Sequence, residues 1–206
     1  MRRVLLMLGL LASAWVHAQT GVTGDRLKSL QADPAALQTA IAAGKKASFF
    51  CTNCHGEGGL SQRGDVPNLA AQHPSYLLEQ IRKFGSGERK DAFMQGLIKV
   101  LSDEERVQIA LYYASVAVKP STADAVLLPR GKELFVHLCV RCHGQNAHGN
   151  ELFPRIAGQK QMYLQSSITR YRDTTGVRNN QLMAIATGGL KNDDIKALSH
   201  YLTQLP

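Results

Sequence analysis

Large aromatic side chains are scarce in this chain of 206 residues, where Phe, Trp and Tyr make up 6% of the sequence. The single tryptophan, Trp15, lies in an apolar stretch near the N-terminus. A chain of this length suffices for one large domain or two small ones, and small domains bury a smaller fraction of their surface. Two small domains this poor in aromatic residues would have thin cores, which indicates that something other than side chains fills part of each core.

Long apolar runs are lacking beyond the N-terminus. A basic start, Met1 to Arg3, is followed by an uncharged run from Val4 to Val16, and Val16 and Ala18 place small residues at positions −3 and −1 of a cleavage site. This is the pattern of a secretory signal peptide, and the run is shorter than the roughly 20 residues that span a membrane. We therefore predict a cleaved signal peptide at residues 1–18, with an uncleaved anchor as the alternative. Cleavage would lower the net charge from +8 to +6, because Arg2 and Arg3 are lost.

Cysteine is limited to four residues, which lie in two short segments. These segments are Cys51-Thr52-Asn53-Cys54-His55 and Cys139-Val140-Arg141-Cys142-His143. Both match C-x-x-C-H, the attachment signature of c-type haem. Two thiols one helical turn apart can each bond one vinyl group of the same haem, and the adjacent histidine is then held under the iron. The sequence therefore predicts two covalently bound haem c groups, anchored by the four cysteines and ligated by His55 and His143.

Other uses of the cysteines fit the sequence less well. A four-cysteine zinc ribbon has about 15–20 residues between its pairs, whereas Cys54 and Cys139 are 139 − 54 = 85 positions apart. A redox-active pair of the thioredoxin kind would need alternating strands and helices, and the chain has no strand pattern. Two disulfides remain open as an alternative, since they are common in exported proteins.

The two motifs lie in an internal duplication, because residues on both sides of them recur at a nearly constant offset. Gly44 and Gly131 are 87 residues apart, as are Gln72 and Gln159. Further pairs at offsets of 87 to 89 are Pro67 and Pro154, Tyr76 and Tyr163, Gly87 and Gly176, Arg89 and Arg178, Leu101 and Leu190, and Tyr112 and Tyr201. The chain therefore contains two copies of one structural unit.

This repeat predicts a first domain over residues 19–118, a linker over 119–128 and a second domain over 129–206. The linker contains a proline and small polar residues, as is typical of connecting segments. Residues 19–32 have no counterpart in the second copy and are expected to be a variable N-terminal extension.

The fold class predicted for both units is all-α, with no competing strand pattern. A capping box at Ser102 to Glu105 marks the start of one helix. Helix-forming composition, apolar periodicity and first-turn prolines indicate the others. The expected helices are Pro34 to Phe50, Pro74 to Phe84, a helix from Ser102, Pro129 to Val140, Gln161 to Arg172, and Asn192 to Leu202.

The repeat also selects candidates for the sixth iron ligand. Met94 and Met183 each lie seven residues before a paired leucine, and they follow their histidines by 94 − 55 = 39 and 183 − 143 = 40 positions. A methionine ligand raises the haem potential and suits electron transfer, so we predict both as axial ligands. Met162 aligns with Ser75 and is expected to be a packing residue.

Each predicted histidine ligand is followed by a proline after a similar interval. Pro67 lies 12 residues after His55, and Pro154 lies 11 residues after His143. A histidine that binds a metal needs a partner for its other ring nitrogen, and a proline carbonyl at this distance can accept that N–H bond.

On these motifs, residues 35–206 resemble the dihaem cytochrome c4 family, in which two class I cytochrome c domains are joined in tandem. The resemblance implies a periplasmic carrier with two low-spin His/Met haems that face one another near the domain interface. It implies a terminal oxidase as electron acceptor, often of the cbb3 type, and a quinol–cytochrome c reductase or a dehydrogenase as donor. A monomer is expected, free or in peripheral contact with the inner membrane. The chain departs from the family in its longer N-terminal extension and in its charge distribution.

The function expected from these features is single-electron transport, not enzymatic catalysis. The alternatives are an electron-transfer subunit bound to a dehydrogenase or oxidase, and a dihaem peroxidase, which would need an exchangeable sixth iron site. Residues 19–115 carry 11 basic and 10 acidic side chains, a net charge of +1, whereas residues 116–206 carry 11 and 6, a net charge of +5. A basic face can be no more than a solvated surface, or it can attract nucleic acid or acidic proteins. Export argues against nucleic acid, which leaves a solvated face and steering toward an acidic protein partner as the two interpretations.

Overall fold

A computed structural model describes residues 23–206, so the predicted signal peptide lies outside the described residues. Within this range the chain forms helices, turns and loops and contains no strand. None of the helices in the described part is both long and apolar enough to cross a membrane. The structure confirms the predicted all-α fold class, with two similar helical units in tandem.

From residue 23 onward, the first unit contains six helices. They are α1 (residues 23–32), α2 (Pro34–Ala47), α3 (Thr52–His55), α4 (Pro74–Ser86), α5 (Ala92–Lys99) and α6 (Asp103–Ser115). Single 3₁₀ turns at Phe49–Cys51 and Glu57–Gly59 flank α3. The second unit repeats this order without α1. After a 3₁₀ turn at Ala125–Leu127 it contains α7 (Leu128–Leu138), α8 (Val140–His143), α9 (Gln161–Arg172), α10 (Gln181–Thr187) and α11 (Asn192–Thr203).

The helices differ from the sequence expectation mainly around the cysteine motifs. The helix expected to reach Phe50 ends at Ala47, and the helix expected to reach Val140 ends at Leu138. Each motif then forms its own four-residue helix, which turns the cysteines and the histidine toward the inside of the unit. The helix Gln161–Arg172 is as predicted, and the predicted capping box at Ser102 is present. Helices α5 and α10 were not anticipated.

Each unit is built on a close crossing of two helices, α2 with α6 and α7 with α11. The paired glycines Gly44 and Gly131 lie at these crossings. A β-carbon at Gly44 would be 2.0 Å from the Gln108 carbonyl oxygen, and one at Gly131 would be 2.2 Å from the carbonyl oxygen of Ala197. Glycine recurs at both positions because the facing helix backbone leaves no room for a side chain.

The N-terminal extension is part of the first core rather than a separate tail. Leu27 and Leu30 of α1 are buried against Val107 and Leu111 of α6. The same two helices are joined at the surface by Arg26, whose guanidinium donates two hydrogen bonds to the Glu104 carboxylate. An exposed ion pair contributes little, so the stabilisation of α1 comes mainly from the two leucines.

The two units face each other across a polar interface with approximate two-fold symmetry. The Tyr163 N–H donates to the Gly64 carbonyl (2.9 Å), and the Ser75 hydroxyl donates to the carbonyl of Glu151 (3.1 Å). The two acceptor carbonyls are equivalent in the repeat, since Gly64 and Glu151 are 87 residues apart, whereas the donors come from adjacent, non-equivalent positions.

Candidate haem sites

Each cysteine motif ends at a glycine that turns the chain sharply. Gly56 and Gly144 have φ values of 76° and 75°, in the left-handed region that glycine adopts without strain. Their N–H groups donate to Thr52 and Val140, which closes each short helix directly after its histidine (2.9 Å in both). This ending fixes the histidine at the last helical position and directs it into the unit.

The two motif histidines are buried and hydrogen-bonded in the same way. His55 and His143 are 8% and 5% exposed. The Nδ1–H of His55 donates to the carbonyl of Pro67 and that of His143 to the carbonyl of Pro154, both at 2.9 Å. Burial lowers the pKa of both imidazoles, although each proline carbonyl opposes this shift. A neutral imidazole with its proton on Nδ1 keeps the Nε2 lone pair for an iron.

No disulfide links the four cysteines of the motifs, all of which lie within the described residues, so the structure does not support the disulfide alternative. Burial is the main cause that raises the pKa of the Cys51 thiol and that of Cys139, the latter to about 11. No three His, Cys, Asp or Glu side chains within residues 23–206 come together as a metal cluster. The geometry therefore gives no support to the zinc alternative.

Both motifs open onto one continuous cavity of about 1070 Å³. This volume slightly exceeds the roughly 300–1,000 Å³ that is typical of ligand pockets. The lining includes every sequence-predicted site residue, namely Cys51, Cys54, His55, Pro67, Met94, Cys139, Cys142, His143, Pro154 and Met183. The structure thus brings the two predicted haem sites together at the interface between the units.

Met94 and Met183 reach the cavity from α5 and α10, two helices that the sequence analysis did not predict. Asp91 and Asn180 cap these helices, and their side chains accept hydrogen bonds from the N–H groups of Met94 and Met183 at 3.0 Å. Each methionine is therefore the third residue of a capped helix. The signal was present in the sequence, since Asp and Asn are preferred cap residues and stand three positions before each methionine.

Met162 has a different setting, although it also borders the cavity. Its side chain is 56% exposed, and its sulfur packs against Gly64 of the first unit. This position fits the packing role expected from the repeat.

A buried arginine and a group of tyrosines line the cavity where the units meet. Arg178 donates hydrogen bonds to the hydroxyls of Tyr163 and Tyr171, and Arg89 also donates to Tyr163 (3.2 Å). The Nε of Arg178 is buried without a hydrogen-bond partner. None of the ion pairs found among residues 23–206 includes Arg178 or Arg89.

A buried cation such as Arg178 needs an anionic partner. It also changes the pKa of the neighbouring Tyr163. Burial alone would raise the pKa of Tyr163, but Arg178 and Arg89 lower it to about 8. The carboxylates of haem propionates would supply the missing negative charge, so the residues present fit the group that the motifs predict. Sequence reasoning named the pair Arg89 and Arg178 only as a repeat and gave them no role.

Comparisons with known proteins agree with this geometry. The family model described as cytochrome c matches residues 128–206. Cytochrome c4 of Pseudomonas aeruginosa is 32% identical over 176 residues, which cover 80% of this chain and 88% of that protein. A thiosulfate dehydrogenase electron acceptor of Stutzerimonas stutzeri is 30% identical over 207 residues, covering 92% of this chain and 95% of that protein. The crystal structure of reduced recombinant cytochrome c4 from Pseudomonas stutzeri has a TM-score of 0.75 and 32% identity, covering 81% of this chain and 98% of that one.

Proposed function

Because the chain belongs to the dihaem cytochrome c4 family, we propose that it is a periplasmic electron carrier that delivers single electrons to a terminal oxidase of a respiratory chain. That it is a dihaem electron-transfer cytochrome with covalently bound haem c follows from the family and from its two intact attachment motifs. The periplasmic location, the partner and the ligand set are the parts that we propose. One observation supports the proposal most strongly. Both motifs open onto one cavity, and in each the buried histidine donates a hydrogen bond to a proline carbonyl.

The proposed ligand sets are His55 with Met94 in the first unit and His143 with Met183 in the second. Each bound haem would supply a one-electron couple at its iron. The protein holds the imidazoles neutral, places the methionine sulfurs from two capped helices, and lines the cavity mostly with apolar groups that exclude water. These features set a reduction potential through ligand identity, burial and outer hydrogen bonds. Arg178 and Arg89 would neutralise propionates between the units.

We propose the domain organisation expected from the repeat, with haem domains over residues 19–118 and 129–206 and a linker over 119–128. In support, the chain between α6 and the turn at Ala125–Leu127 forms no helix. The Ser121 N–H in this stretch donates to the carbonyl of Thr203 at the end of α11 (3.0 Å), which ties the connecting segment to the second unit.

A second candidate is an acceptor for a dehydrogenase. The similarity of this chain to a protein named thiosulfate dehydrogenase electron acceptor extends over 92% of its length. Both candidates use the same two haem sites and differ in the donor and acceptor. A peroxidase is the enzymatic alternative, and it would require an iron with an open sixth position.

The first test of the proposed function is the haem content of the purified protein. A pyridine haemochrome spectrum with an intact mass should show two covalent haems per chain, and the mass should correspond to a chain that begins near Gln19. Carbon monoxide should not bind rapidly to the reduced protein, since both sixth positions are filled. Rapid uptake at one haem would contradict the carrier and support an enzyme.

The partner is tested by kinetics. The reduced protein is mixed with membranes that contain a terminal oxidase, and the oxidised protein is mixed with a purified dehydrogenase and its substrate. Rapid oxidation by the oxidase, sensitive to an oxidase inhibitor, is expected. Rapid reduction by the dehydrogenase without oxidation by the membranes would favour the second candidate.

A further inference from the structure

Two buried glutamines cross the interface in a reciprocal arrangement. The Gln159 Oε1 accepts the N–H of Asn68 (2.8 Å), and its Nε2 donates to the Asn68 carbonyl (2.9 Å). In the opposite direction, the Gln72 Oε1 accepts the N–H of Arg155 (2.9 Å), and its Nε2 donates to the carbonyl of Arg155 (2.8 Å). Gln72 and Gln159 occupy equivalent positions in the repeat, so each unit uses the same side chain to hydrogen-bond the backbone of the other.

The residues bound by these glutamines, Asn68 and Arg155, directly follow the prolines whose carbonyls bind the motif histidines. The Pro67 carbonyl, which accepts from His55, and the Asn68 N–H, which donates to Gln159, belong to one peptide group. The same holds for the peptide between Pro154 and Arg155 in the second unit. A histidine of one unit is therefore connected through a single peptide plane to a side chain of the other unit.

Hydrogen bonds at the two ends of one peptide group strengthen each other. When the N–H of a peptide is bonded to an acceptor, its carbonyl becomes more negative and a better acceptor in turn. Burial increases this effect, because the surroundings have a low dielectric constant, and Asn68, Gln72 and Gln159 are all buried. A stronger carbonyl acceptor draws the Nδ1 proton of the histidine outward and raises the basicity of its other nitrogen.

We propose that Gln159 and Gln72 are positioning residues that tune the iron of the opposite domain. Gln159 acts on His55 through the peptide of Pro67 and Asn68, and Gln72 acts on His143 through the peptide of Pro154 and Arg155. The inference rests on the proposed function only in requiring an iron on Nε2 of each histidine. Docking of the two units thus sets both potentials, in addition to bringing the sites together.

The direction of the change in reduction potential follows from the basicity of the imidazole. A more basic imidazole stabilises ferric iron over ferrous iron and lowers the reduction potential. Removal of one glutamine leaves the peptide N–H without its acceptor, weakens the histidine hydrogen bond and raises the potential of the iron in the other domain. The ferrous fraction of that haem at a fixed applied potential therefore increases, while the haem of the mutated domain keeps its titration curve.

The test uses the complete dihaem protein with ¹⁵N-labelled histidine in the reduced, diamagnetic state. The proton shift of each axial Nδ1–H is measured and assigned through contacts with the neighbouring proline. Gln159→Met should move the His55 resonance upfield and leave that of His143 in place, and Gln72→Met should do the reverse. A potentiometric titration of each variant should show one haem shifted to higher potential.

Matched controls separate tuning from loosening of the interface. Ser75→Ala removes the interdomain bond to Glu151, which belongs to neither proline peptide, and should move neither resonance. Gln159→Asn keeps the amide but shortens the side chain, so it should give the same crossed shift if Gln159→Met does not assemble. Equal shifts at both histidines, a shift in the mutated domain only, or no shift would each overturn the proposal.

Failure of this inference is distinguishable from failure of the proposed function. The resonances report the hydrogen bonds of the two histidines whatever the redox partner is. If the crossed shifts are absent while two closed haems are present, only the tuning role is wrong. If the protein binds carbon monoxide rapidly but shows the crossed shifts, the carrier function is wrong and the tuning role stands.

Discussion

At the scale of single residues, two of the three methionines of the described chain have matching surroundings and the third differs. Met94 and Met183 occupy the same position of equivalent capped helices, whereas Met162 packs on a glycine of the other unit and is largely exposed. All three border the cavity, so nearness alone does not distinguish a ligand from a packing residue. The repeat does, because only two of the three have a methionine as counterpart.

We predict that Met94→Ala and Met183→Ala each open one iron and lower its reduction potential, because the thioether ligand that favours ferrous iron is lost. The absorption band of the methionine–iron bond should fall by about half in each variant, as one of two haems loses its ligand. Met162→Ala is the matched control and should keep the full band. Loss of the band in Met162→Ala would show that the ligand assignment from the repeat is wrong.

The histidine, cysteine and methionine candidates were accessible from the sequence because covalent chemistry and spacing restrict them to few residue types. The roles of Arg178 and Tyr163 were not, since a repeated arginine is compatible with a surface charge as well as with a buried one. Only the three-dimensional arrangement shows that Arg178 lacks a carboxylate partner among the described residues while its Nε is buried.

At the scale of secondary-structure elements, helix ends were the least predictable part. Helices α5 and α10 contain only eight and seven residues, too short for apolar periodicity to identify, and isolated helices of this length are marginal in water. They depend on their caps and on tertiary packing. The long helices with capping signals or first-turn prolines were located correctly because their determinants are local.

The helix crossings lead to a prediction about packing. Gly44→Ala and Gly131→Ala should each destabilise the protein by about 1–3 kcal/mol, the usual cost of overpacking, because the new methyl group meets the backbone of the facing helix. Urea unfolding of the haem-loaded protein, followed by far-UV circular dichroism, measures the change. Gly96→Ala is the control, since a β-carbon there has no neighbour within 4 Å, and it should be neutral or stabilising by up to about 1 kcal/mol. If Gly96→Ala lowered the unfolding free energy as much as Gly44→Ala or Gly131→Ala, the close approach of the helix backbones would not be the cause.

The burial of α1 gives a second prediction at this scale. Leu30→Ala should cost about 2–5 kcal/mol of unfolding free energy, as expected for a buried leucine, although the sequence suggested only a variable extension here. Lys28→Ala, on the exposed side of the same helix, should change the stability by less than about 0.5 kcal/mol. The same denaturant titration checks both variants, and an unchanged stability in Leu30→Ala would mean that α1 does not belong to the core.

At the scale of the whole molecule, two properties arise from the pairing of the units. The first is the shared cavity, which the sequence could indicate only through the family resemblance. The second is the set of interface contacts between residues 83 to 91 positions apart, which no local pattern encodes. The repeat identified Gln72 and Gln159 as a pair, but not that each binds the other unit.

The uneven charge predicts how the protein meets its partner. If the basic second unit steers the protein toward an acidic surface, the bimolecular rate should fall as the salt concentration rises, because screening acts beyond about 8 Å at physiological ionic strength. Stopped-flow kinetics with the oxidase measure this rate. Replacing Lys132 and Lys196 of the second unit by Glu should slow association more than replacing Lys45 and Lys46 of the first unit. A rate independent of salt would exclude steering.

The hydrogen bonds from the two glutamines to main-chain atoms have a consequence for the evolution of the duplicated chain. Because each glutamine binds main-chain atoms of its partner position, this contact does not depend on which side chain stands there. The Asn68 side chain adds a bond of its own to the carbonyl of Gly158 (3.0 Å). The two copies have indeed diverged there, to Asn68 in one and Arg155 in the other, while Gln72 and Gln159 are the same. Symmetry held through main-chain atoms allows two fused copies to acquire separate surfaces, and so separate roles toward donor and acceptor, while they remain closed on each other.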